Sequence, residues 1–534
     1  MQRYCRAEGA LFVGLWLILA AAGRGSLFQD PGTFWHTVVG RQIVATGEVP
    51  RTDSLSFTWA GQPWVATQWL AECLMAGVHG WLGWDGLLLL TVTCLAGLFT
   101  YIASRLLAAG LPMMPTLLVV TVVTAASSHH FHARPHLATL LFVPLLTGLF
   151  VDIENGRCHP RRLWWCLPML VLWTNMHGGA LAGWGLLLLA AAGWIAWQMV
   201  KWPSPLVNRA AIGHALGVVC LGGLALLASP YGLDTPRTWL KIMSLDLPGL
   251  IEEHAPLNWH KPEGQAVLVI AIAYVATLAS TWRHRPRVVW LLPLLWAWLA
   301  VGRVRHAPLF ALSAAVAWAD MLPYSVAAGW LRARGWLHDK REPFAAEHSA
   351  VPVLAPVEAT TGSVLRYQVA DWRVWLLPMS FMAAVLAIQA GGVACPVVGR
   401  GWARLDPAIW PVELVEQLND DGDPHGPPGK LFNALDLGGF VTFYAPHTRT
   451  FIDDRCELFG GDFLRQYAAA ETRQPGQLDD WARQYGLRRA LVRSGSPFDL
   501  YLARSADWQE TGRARSAVLY QRRPAALAAQ APTD

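Results

Sequence analysis

Charged residues are scarce in this chain of 534 residues: only 15% are Asp, Glu, Lys or Arg, whereas 54% are hydrophobic. Soluble globular proteins carry about a quarter charged residues, so the deficit argues against an ordinary soluble domain and points to a lipid bilayer. The formal net charge is only +5, and the basic residues lie in short clusters between apolar runs. That distribution is typical of membrane topology control and not of a nucleic-acid-binding surface.

Three common sequence patterns are also missing. The eight cysteines form no CxxC pair, so the sequence signals neither a zinc site nor a disulfide framework. The Gly pair in "NALDLGGF" is not part of a GxGxxG motif, which argues against a dinucleotide site. No internal repeat is visible, although many secondary transporters contain one.

Long apolar runs are what the chain does contain. A transmembrane helix needs roughly 20 apolar residues, and 29 tryptophans suit a protein with much surface at the membrane interface. Residues 66–83 are apolar but interrupted by Gln68 and Glu72, which predicts an interfacial helix. The sequence predicts an α-helical polytopic membrane protein with about eleven transmembrane helices, near 9–26, 85–107, 113–128, 136–152, 163–176, 179–200, 210–229, 265–281, 287–301, 304–322 and 373–393.

The distribution of Lys and Arg predicts the orientation, with a cytoplasmic N-terminus. The transmembrane module would then span residues 1–393, with a first extracytoplasmic loop at about 27–84 and a cytoplasmic loop at about 323–372. Nearly every His, Asp or Glu near a membrane boundary falls on the extracytoplasmic side. An odd number of spans places the C-terminal part, 394–525, on that side as well, and the tail, 526–534, is predicted to be disordered.

The C-terminal part has the alternating elements of a small α/β domain. Its sequence predicts an amphipathic helix in "PAIWPVELVEQL" and short strands in "GGFVTFYAP" and "RTFIDD". Two helices are predicted in "GDFLRQYAAAE" and "LDDWARQYG", followed by strands in "RRALVRS" and "SAVLYQRR".

The first loop, "DPGTFWHTVVGRQIVATGEVPRTDSLSFT", contains two aspartates, a histidine, arginines and aromatic residues, which a simple connecting hairpin does not need. Asp30 before Pro31 can cap a helix over roughly 32–46, or it can act as a general base toward an acceptor hydroxyl. Asp53 lies in a turn-like segment, where it can hydrogen-bond the backbone that follows it or act as the general base. On the predicted helix, Trp35, Val39 and Ile43 would form an apolar stripe on the membrane, whereas His36 would face water or a substrate.

Four further extracytoplasmic segments are rich in polar groups. "HHFHARPH", residues 129–136, has four histidines, but no spacing rule selects them as metal ligands, and Arg134 suits a phosphate at a membrane surface as well as it suits snorkelling. "WTNMHGG" brings Asn175 and His177 near membrane depth, where polar groups are usually functional or paired. The other two segments contribute Arg303 and Arg305 in "GRVRHAP" and Glu252 in "IEEHAP".

These motifs together resemble the glycosyltransferases of the C superfamily, called GT-C. The resemblance rests on the first loop through "WVATQWLAE", and on "ARPH", "WTNMHGG", "SPYG", "GRVRHAP" and "FNALDLGGFVTFYAPHTRTFIDDRCELFG". It implies a helical membrane module that transfers a sugar from a polyprenyl-phosphate donor at the outer face of the bacterial inner membrane. An acidic residue of the first loop would be the base or a metal ligand, which selects Asp30 and Asp53 and then Glu72. Related sequences tend to carry a second acid two positions after the first Asp, where this chain has Gly32.

The combined prediction is an inverting glycosyltransferase with Asp30 or Asp53 as the catalytic base. Three arginines would bind the donor phosphate, and a divalent cation, Mg²⁺ or Mn²⁺, held by Asp30 and His36 is an alternative to a metal-free site. The acceptor would be a glycan, lipid or protein, and no nucleic acid is expected. A lipid-linked-sugar flippase and a non-catalytic scaffold that presents the C-terminal domain remain alternatives. The predicted phosphate-binding residues are Arg134, Arg303 and Arg305, and the predicted substrate-orienting residues are His36, Glu72, His136, Asn175, His177 and Glu252.

Overall fold

The fold was analysed in a computed structural model, which describes residues 7–245, 254–281, 285–337, 375–420 and 429–524. Three predictions lie outside the described residues: the position of Glu252, most of the 323–372 loop, and the disordered tail. Within that loop, the short helix Ala327–Ala333 is described.

The chain is mostly helical. An apolar helix lies at each of the eleven predicted positions, because apolar runs of this length satisfy their own backbone hydrogen bonds only as helices. The helices are α1 (Ala7–Ser26), α2 (Gly32–Thr46), α3 (Trp69–Ala108), α4 (Met113–Ser127), α5 (Leu137–Glu154), α6 (Cys166–Met176), α7 (Ala180–Met199), α8 (Arg209–Ala225), α9 (Asp234–Ser244), α10 (Pro262–Ser280), α11 (Val288–Gly302), α12 (Ala307–Met321), α13 (Ala327–Ala333), α14 (Leu376–Ala390), α15 (Val415–Asn419), α16 (Gly438–Tyr444), α17 (Cys456–Thr472), α18 (Gln477–Tyr485) and α19 (Pro497–Leu502).

Among the described residues, five helices are long and apolar enough to cross a membrane: α1, α3, α5, α7 and α10. A bent pair, Val304–Tyr324 with Ala327–Ala333, would make a sixth span. The protein is therefore a multi-pass membrane protein. The remaining apolar helices are shorter, so the predicted number of eleven spans is not confirmed. Helix α12 lies at the centre of the bundle, where nearly all its residues are buried among its neighbours.

A helix is present where the interfacial helix was expected at 66–83, and it forms the first part of α3. Helix α3 begins at Trp69 and continues for 40 residues into the next predicted span. The two parts meet at Gly83, whose φ of 61° and ψ of −147° break the helical geometry. The first part packs closely against α2, so the first loop is built as a pair of helices over the bundle.

The C-terminal part contains a five-stranded mixed sheet, which confirms the predicted small α/β region. The strand order is β2-β1-β3-β5-β4; β1 pairs with β2 and β3 in parallel, whereas β5 is antiparallel to β3 and β4. The strands are β1 (Gly429–Asn433), β2 (Thr448–Thr450), β3 (Arg489–Arg493), β4 (Trp508–Arg513) and β5 (Ala517–Arg522).

Three predictions for this region were wrong in detail. The "GGFVTFYAP" segment forms the helix α16 and not a strand, because its aromatic side chains pack around Phe34 on α2. Gly439 makes this packing possible, since a Cβ at that position would overlap the carbonyl oxygen of Pro31. In "RTFIDD" the strand β2 ends at Thr450. The helix expected in "PAIWPVELVEQL" is only α15 preceded by one 3-10 turn.

The first loop and the C-terminal sheet form one continuous unit. Ser56 forms a parallel β-bridge with Thr450, and the backbone NH of Phe57 donates to the carbonyl oxygen of Thr450 at 3.0 Å. Trp35, Val39 and Ile43 are buried in the same hydrophobic cluster as the sheet residues. The prediction that this stripe lies on the membrane was therefore wrong: the stripe is covered by the C-terminal domain.

Candidate active site

A cavity of about 1510 Å³ lies between the helical bundle and the C-terminal domain. One part of its wall is apolar and comes from α1 and α7, including Ile18, Leu19, Leu186 and Leu189. The other part is lined by charged residues of the first loop, of the loops and helix ends of the bundle, and of the C-terminal domain: Asp30, Arg134, Lys261, Glu263, Arg303, Arg305, Asp436, Asp454, Arg455 and Glu457. The cavity therefore suits a ligand with an apolar chain and a polar, charged head.

An ion pair between Asp30 and Arg134 lies at the polar end of the cavity. Arg134 Nη1 donates to Asp30 Oδ2 at 2.7 Å, and the backbone NH of Gly32 donates to Asp30 Oδ1 at 2.7 Å. The formal N-cap of α2 is Pro31, without a side-chain cap, so Asp30 shapes the turn before the helix. A Cβ on Gly32 would lie 2.7 Å from Arg134 Nε, which shows that the Arg134 side chain occupies the space above Gly32.

A second carboxylate, Asp454 of the C-terminal domain, reaches the same arginine. Its Oδ2 lies 3.9 Å from Arg134 Nη2, and its Oδ1 accepts a hydrogen bond from Trp35 Nε1 at 2.7 Å. Burial raises the pKa of Asp454 to about 7; the carboxylates of Asp30 and Asp453 also raise it, while Arg134 lowers it. Burial therefore favours the protonated form of Asp454 more than in an exposed aspartate.

Asp53 is placed differently. Its carboxylate accepts hydrogen bonds from Arg455 Nη1 at 2.7 Å, from the backbone NH groups of Leu55 and Ser56, and from Ser56 Oγ at 2.6 Å. The Asp53 and Arg455 side chains are both fully buried, and Asp453 binds the same guanidinium through two hydrogen bonds. Asp53 does not line the cavity. Its partners suit a carboxylate that holds the first loop against the C-terminal domain.

His36 and Glu72 form a buried pair behind the cavity wall. His36 Nδ1 lies 2.8 Å from Glu72 Oε1, and neither side chain is more than 1% exposed. Burial, followed by the positive charge of Arg134, holds the pKa of His36 well below its usual range. His36 is thus neutral at pH 7 and faces α3, in contrast to the prediction that it points to water or a substrate.

His177 lines the cavity with a defined tautomer. The backbone NH of Gly179 donates to His177 Nδ1 at 3.0 Å, and Thr139 Oγ1 lies 2.7 Å from the same nitrogen. Trp173 Nε1 donates to Thr139 Oγ1 at 2.9 Å, which leaves the threonine hydroxyl proton for His177. Because Nδ1 accepts two hydrogen bonds, the proton of neutral His177 resides on Nε2.

The remaining predicted site residues divide between the cavity and its support. His136 lines the cavity, with its Nε2 2.6 Å from the carbonyl oxygen of His130. Arg303 and Arg305 line it as well; Arg303 donates to the carbonyl oxygen of Met243 at 3.2 Å. Asn175 accepts from Trp69 Nε1 at 2.7 Å and donates to the carbonyl oxygen of Ala228, so it joins α6, α3 and the turn after α8.

Within the described residues, no group of three His, Cys, Asp or Glu side chains is arranged to hold a metal ion. Asp30 binds Arg134 and His36 binds Glu72, so the two residues proposed as ligands have separate protein partners. The divalent cation therefore stays a prediction, and no chemical step is assigned to it.

Sequence reasoning missed Asp454 and the neighbouring pair of Asp453 and Arg455. The available signal was the run of three charged residues in "FIDDR", of which the two aspartates end the predicted strand "RTFIDD". Charged residues at the end of a strand are often exposed, and the partners that bury these three are Trp35, Arg134 and Asp53, hundreds of positions earlier.

No protein-family profile matches the chain, and no characterised protein sequence is similar to it at a significant level. Among solved structures, the oligosaccharyltransferase of Archaeoglobus fulgidus in its apo form is similar, with a TM-score of 0.52 and 11% identity over 90% of this chain and 69% of that one. ArnT of Cupriavidus metallidurans bound to undecaprenyl phosphate matches with a TM-score of 0.46 and 16% identity over 96% of this chain and 98% of that one. The same ArnT in its apo state gives a TM-score of 0.44, also with 16% identity, over 96% and 97%. The chain therefore shares the fold of the oligosaccharyltransferase, which agrees with the resemblance of its motifs to the GT-C proteins.

Proposed function

We propose that the chain is a membrane-embedded glycosyltransferase, which moves a sugar from a polyprenyl-phosphate donor to an acceptor outside the cytoplasm. The fold is shared with an oligosaccharyltransferase, and the cavity has the amphipathic lining that a lipid-linked sugar requires. The proposal includes an inner-membrane location, with the polar end of the cavity and the C-terminal domain on the extracytoplasmic side.

The observation that carries the proposal is the position of the Asp30–Arg134 pair. Both residues line a cavity that is also lined by apolar side chains of α1 and α7. A polyprenyl chain would lie against those helices, and its phosphate would lie near Arg303 and Arg305. Arginine suits this role because its guanidinium forms charge-assisted hydrogen bonds to phosphate oxygens.

In the proposed reaction, Asp30 removes the proton of an acceptor hydroxyl as its oxygen attacks the anomeric carbon. The bond from that carbon to the phosphate oxygen breaks on the opposite face, so the configuration inverts and polyprenyl phosphate leaves. Once Asp30 is protonated it no longer balances the charge of Arg134, which then stabilises the leaving phosphate together with Arg303 and Arg305. Of the two first-loop aspartates, Asp30 is assigned this role because it lines the cavity and Asp53 does not.

The test uses a deletion strain that is complemented with the wild-type chain, with Asp30→Asn or with Asp480→Asn. The envelope glycans and glycolipids of these strains are compared by mass spectrometry. Asp480 is an exposed carboxylate on α18 and serves as the control. We expect a glycan to disappear on deletion, to return with the wild type and the control, and to stay absent with Asp30→Asn. An unchanged profile on deletion would contradict the enzyme proposal, and full rescue by Asp30→Asn would contradict the assignment of the base.

A further inference from the structure

Groups from three distant parts of the chain meet next to Asp30: the backbone of Gly32, the guanidinium of Arg134 and the carboxylate of Asp454. Arg134 fills the volume above Gly32, where a Cβ would lie 2.9 Å from both Asp30 Oδ1 and Arg134 Cζ. An acidic side chain at position 32 and the Arg134 guanidinium therefore cannot occupy the same site. The second acid near Arg134 comes from the C-terminal domain instead, since Asp454 Oδ2 lies 3.9 Å from Arg134 Nη2.

The backbone around Asp454 is fixed by its neighbours. Asp453 and Arg455 are buried and bind each other, and Arg455 also binds Asp53, so the chain on both sides of Asp454 cannot move without breaking that network. Asp454 itself lines the cavity, and Trp35 Nε1 fixes its Oδ1 at 2.7 Å. Its Oδ2 lies beyond hydrogen-bond distance from Arg134, so this oxygen can accept a hydrogen bond from a ligand.

We propose that Asp454 is the second carboxylate of the active site and binds the acceptor from the side opposite Asp30 across Arg134. This inference rests on the proposed function and specifies one chemical property of the acceptor. Next to the hydroxyl that attacks, the acceptor carries a second hydrogen-bond donor, either a neighbouring sugar hydroxyl or an amine. The C-terminal domain thus contributes directly to acceptor recognition.

The proposed role makes acceptor binding depend on pH. Only the ionised carboxylate accepts a hydrogen bond at each oxygen, and the pKa of Asp454 is raised to about 7 because of its burial. The charged groups that act on it are Arg134, Asp30 and Asp453. Transfer at low acceptor concentration should therefore rise with pH through about 7 and fall as the carboxylate is protonated below it.

The experiment uses purified full-length chain added to the solubilised envelope fraction of a deletion strain, which supplies unused donor and unmodified acceptor. The transfer rate is measured against pH and against the amount of envelope fraction, for wild type, Asp454→Asn, Asp454→Glu and Asp480→Asn. We expect Asp454→Asn to raise the apparent KM about tenfold to a hundredfold with a smaller change in kcat, and to remove the rise near pH 7. Asp454→Glu should restore part of the loss, and Asp480→Asn should match the wild type.

Trp35→Phe is the second variant, because it leaves the carboxylate in place. The hydrogen bond from the Trp35 indole lowers the pKa of Asp454. Its loss should raise that pKa and move the rise in rate to higher pH. A wild-type rate and pH profile in Asp454→Asn, with Asp30→Asn inactive, would overturn this inference and leave the proposed function intact. If the wild-type chain itself gives no transfer, both fail.

Discussion

Arg455 Nη1 lies 2.7 Å from Asp53 Oδ1, although 402 positions separate the two residues. Both side chains are fully buried, and the same guanidinium also binds Asp453. The contact joins the first loop to the C-terminal domain, and Asp454, which faces the cavity, follows Asp453 directly. The position of Asp454 therefore depends on an ion-pair network whose two carboxylates, Asp53 and Asp453, do not line the cavity.

The first prediction concerns Asp53→Asn. Removal of one partner of a buried ion pair typically costs about 3–5 kcal/mol, because the remaining charge is left uncompensated. Here Asp453 still binds Arg455, so we expect a loss at the lower end of that range. The measurement is thermal unfolding in detergent, with Asp480→Asn as control. A variant that is inactive but as stable as wild type would instead identify Asp53 as a catalytic group.

The second prediction concerns Gly439→Ala. A Cβ here would overlap the carbonyl oxygen of Pro31, so α16 must move away from α2 and from the turn that contains Asp30. Overpacking of this kind costs about 1–3 kcal/mol. The matched control is Gly77→Ala in α3, where the added Cβ meets no atom within 4 Å. Unfolding temperatures measured side by side should fall for Gly439→Ala alone; equal values would show that α16 does not need this close approach.

The third prediction concerns pH and His36. Burial holds the pKa of His36 well below its usual value of 6.5, so the unfolded chain binds a proton there more readily than the folded protein does. The stability contribution of neutral His36 is therefore complete above about pH 6.5 and is lost as the pH falls below it. Unfolding at pH 7.5 and 5.5 should show a smaller loss on acidification in His36→Gln than in wild type. An identical loss would mean that other groups control the acid sensitivity.

The fourth prediction concerns the arginines assigned to the phosphate. Arg303→Ala and Arg305→Ala should each weaken binding of undecaprenyl phosphate about tenfold, because a hydrogen bond to a charged group contributes about 1.5–3 kcal/mol. Binding is measured with purified chain by native mass spectrometry, and uncharged undecaprenol is the ligand control. Arg465→Ala, on an exposed face of α17, is the variant control. Equal affinities of the wild-type chain for the phosphate and the alcohol would show that these arginines do not bind the phosphate.

The helical membrane module was predictable because hydropathy is a local property, and the apolar helices appear where the runs are. Helix α16 was predicted as a strand, since Phe, Val, Thr and Tyr favour strands in isolation and only packing against Phe34 on α2 decides otherwise. Asp30 and Arg134 could be predicted as site residues because they are charged residues in predicted extracytoplasmic loops. The role of Asp454 could not, because Trp35 lies 419 positions earlier and no local pattern encodes that contact.

Reconstituted transfer tests whether the chain is a glycosyltransferase with Asp30 as its base. Purified chain is added to the solubilised envelope fraction of a deletion strain, and the products are analysed by mass spectrometry and by NMR of the new glycosidic linkage. Wild type should release polyprenyl phosphate and form a linkage whose anomeric configuration is inverted relative to the donor, and Asp30→Asn should form none. A retained configuration, or no transfer by a folded wild-type chain, would contradict this prediction.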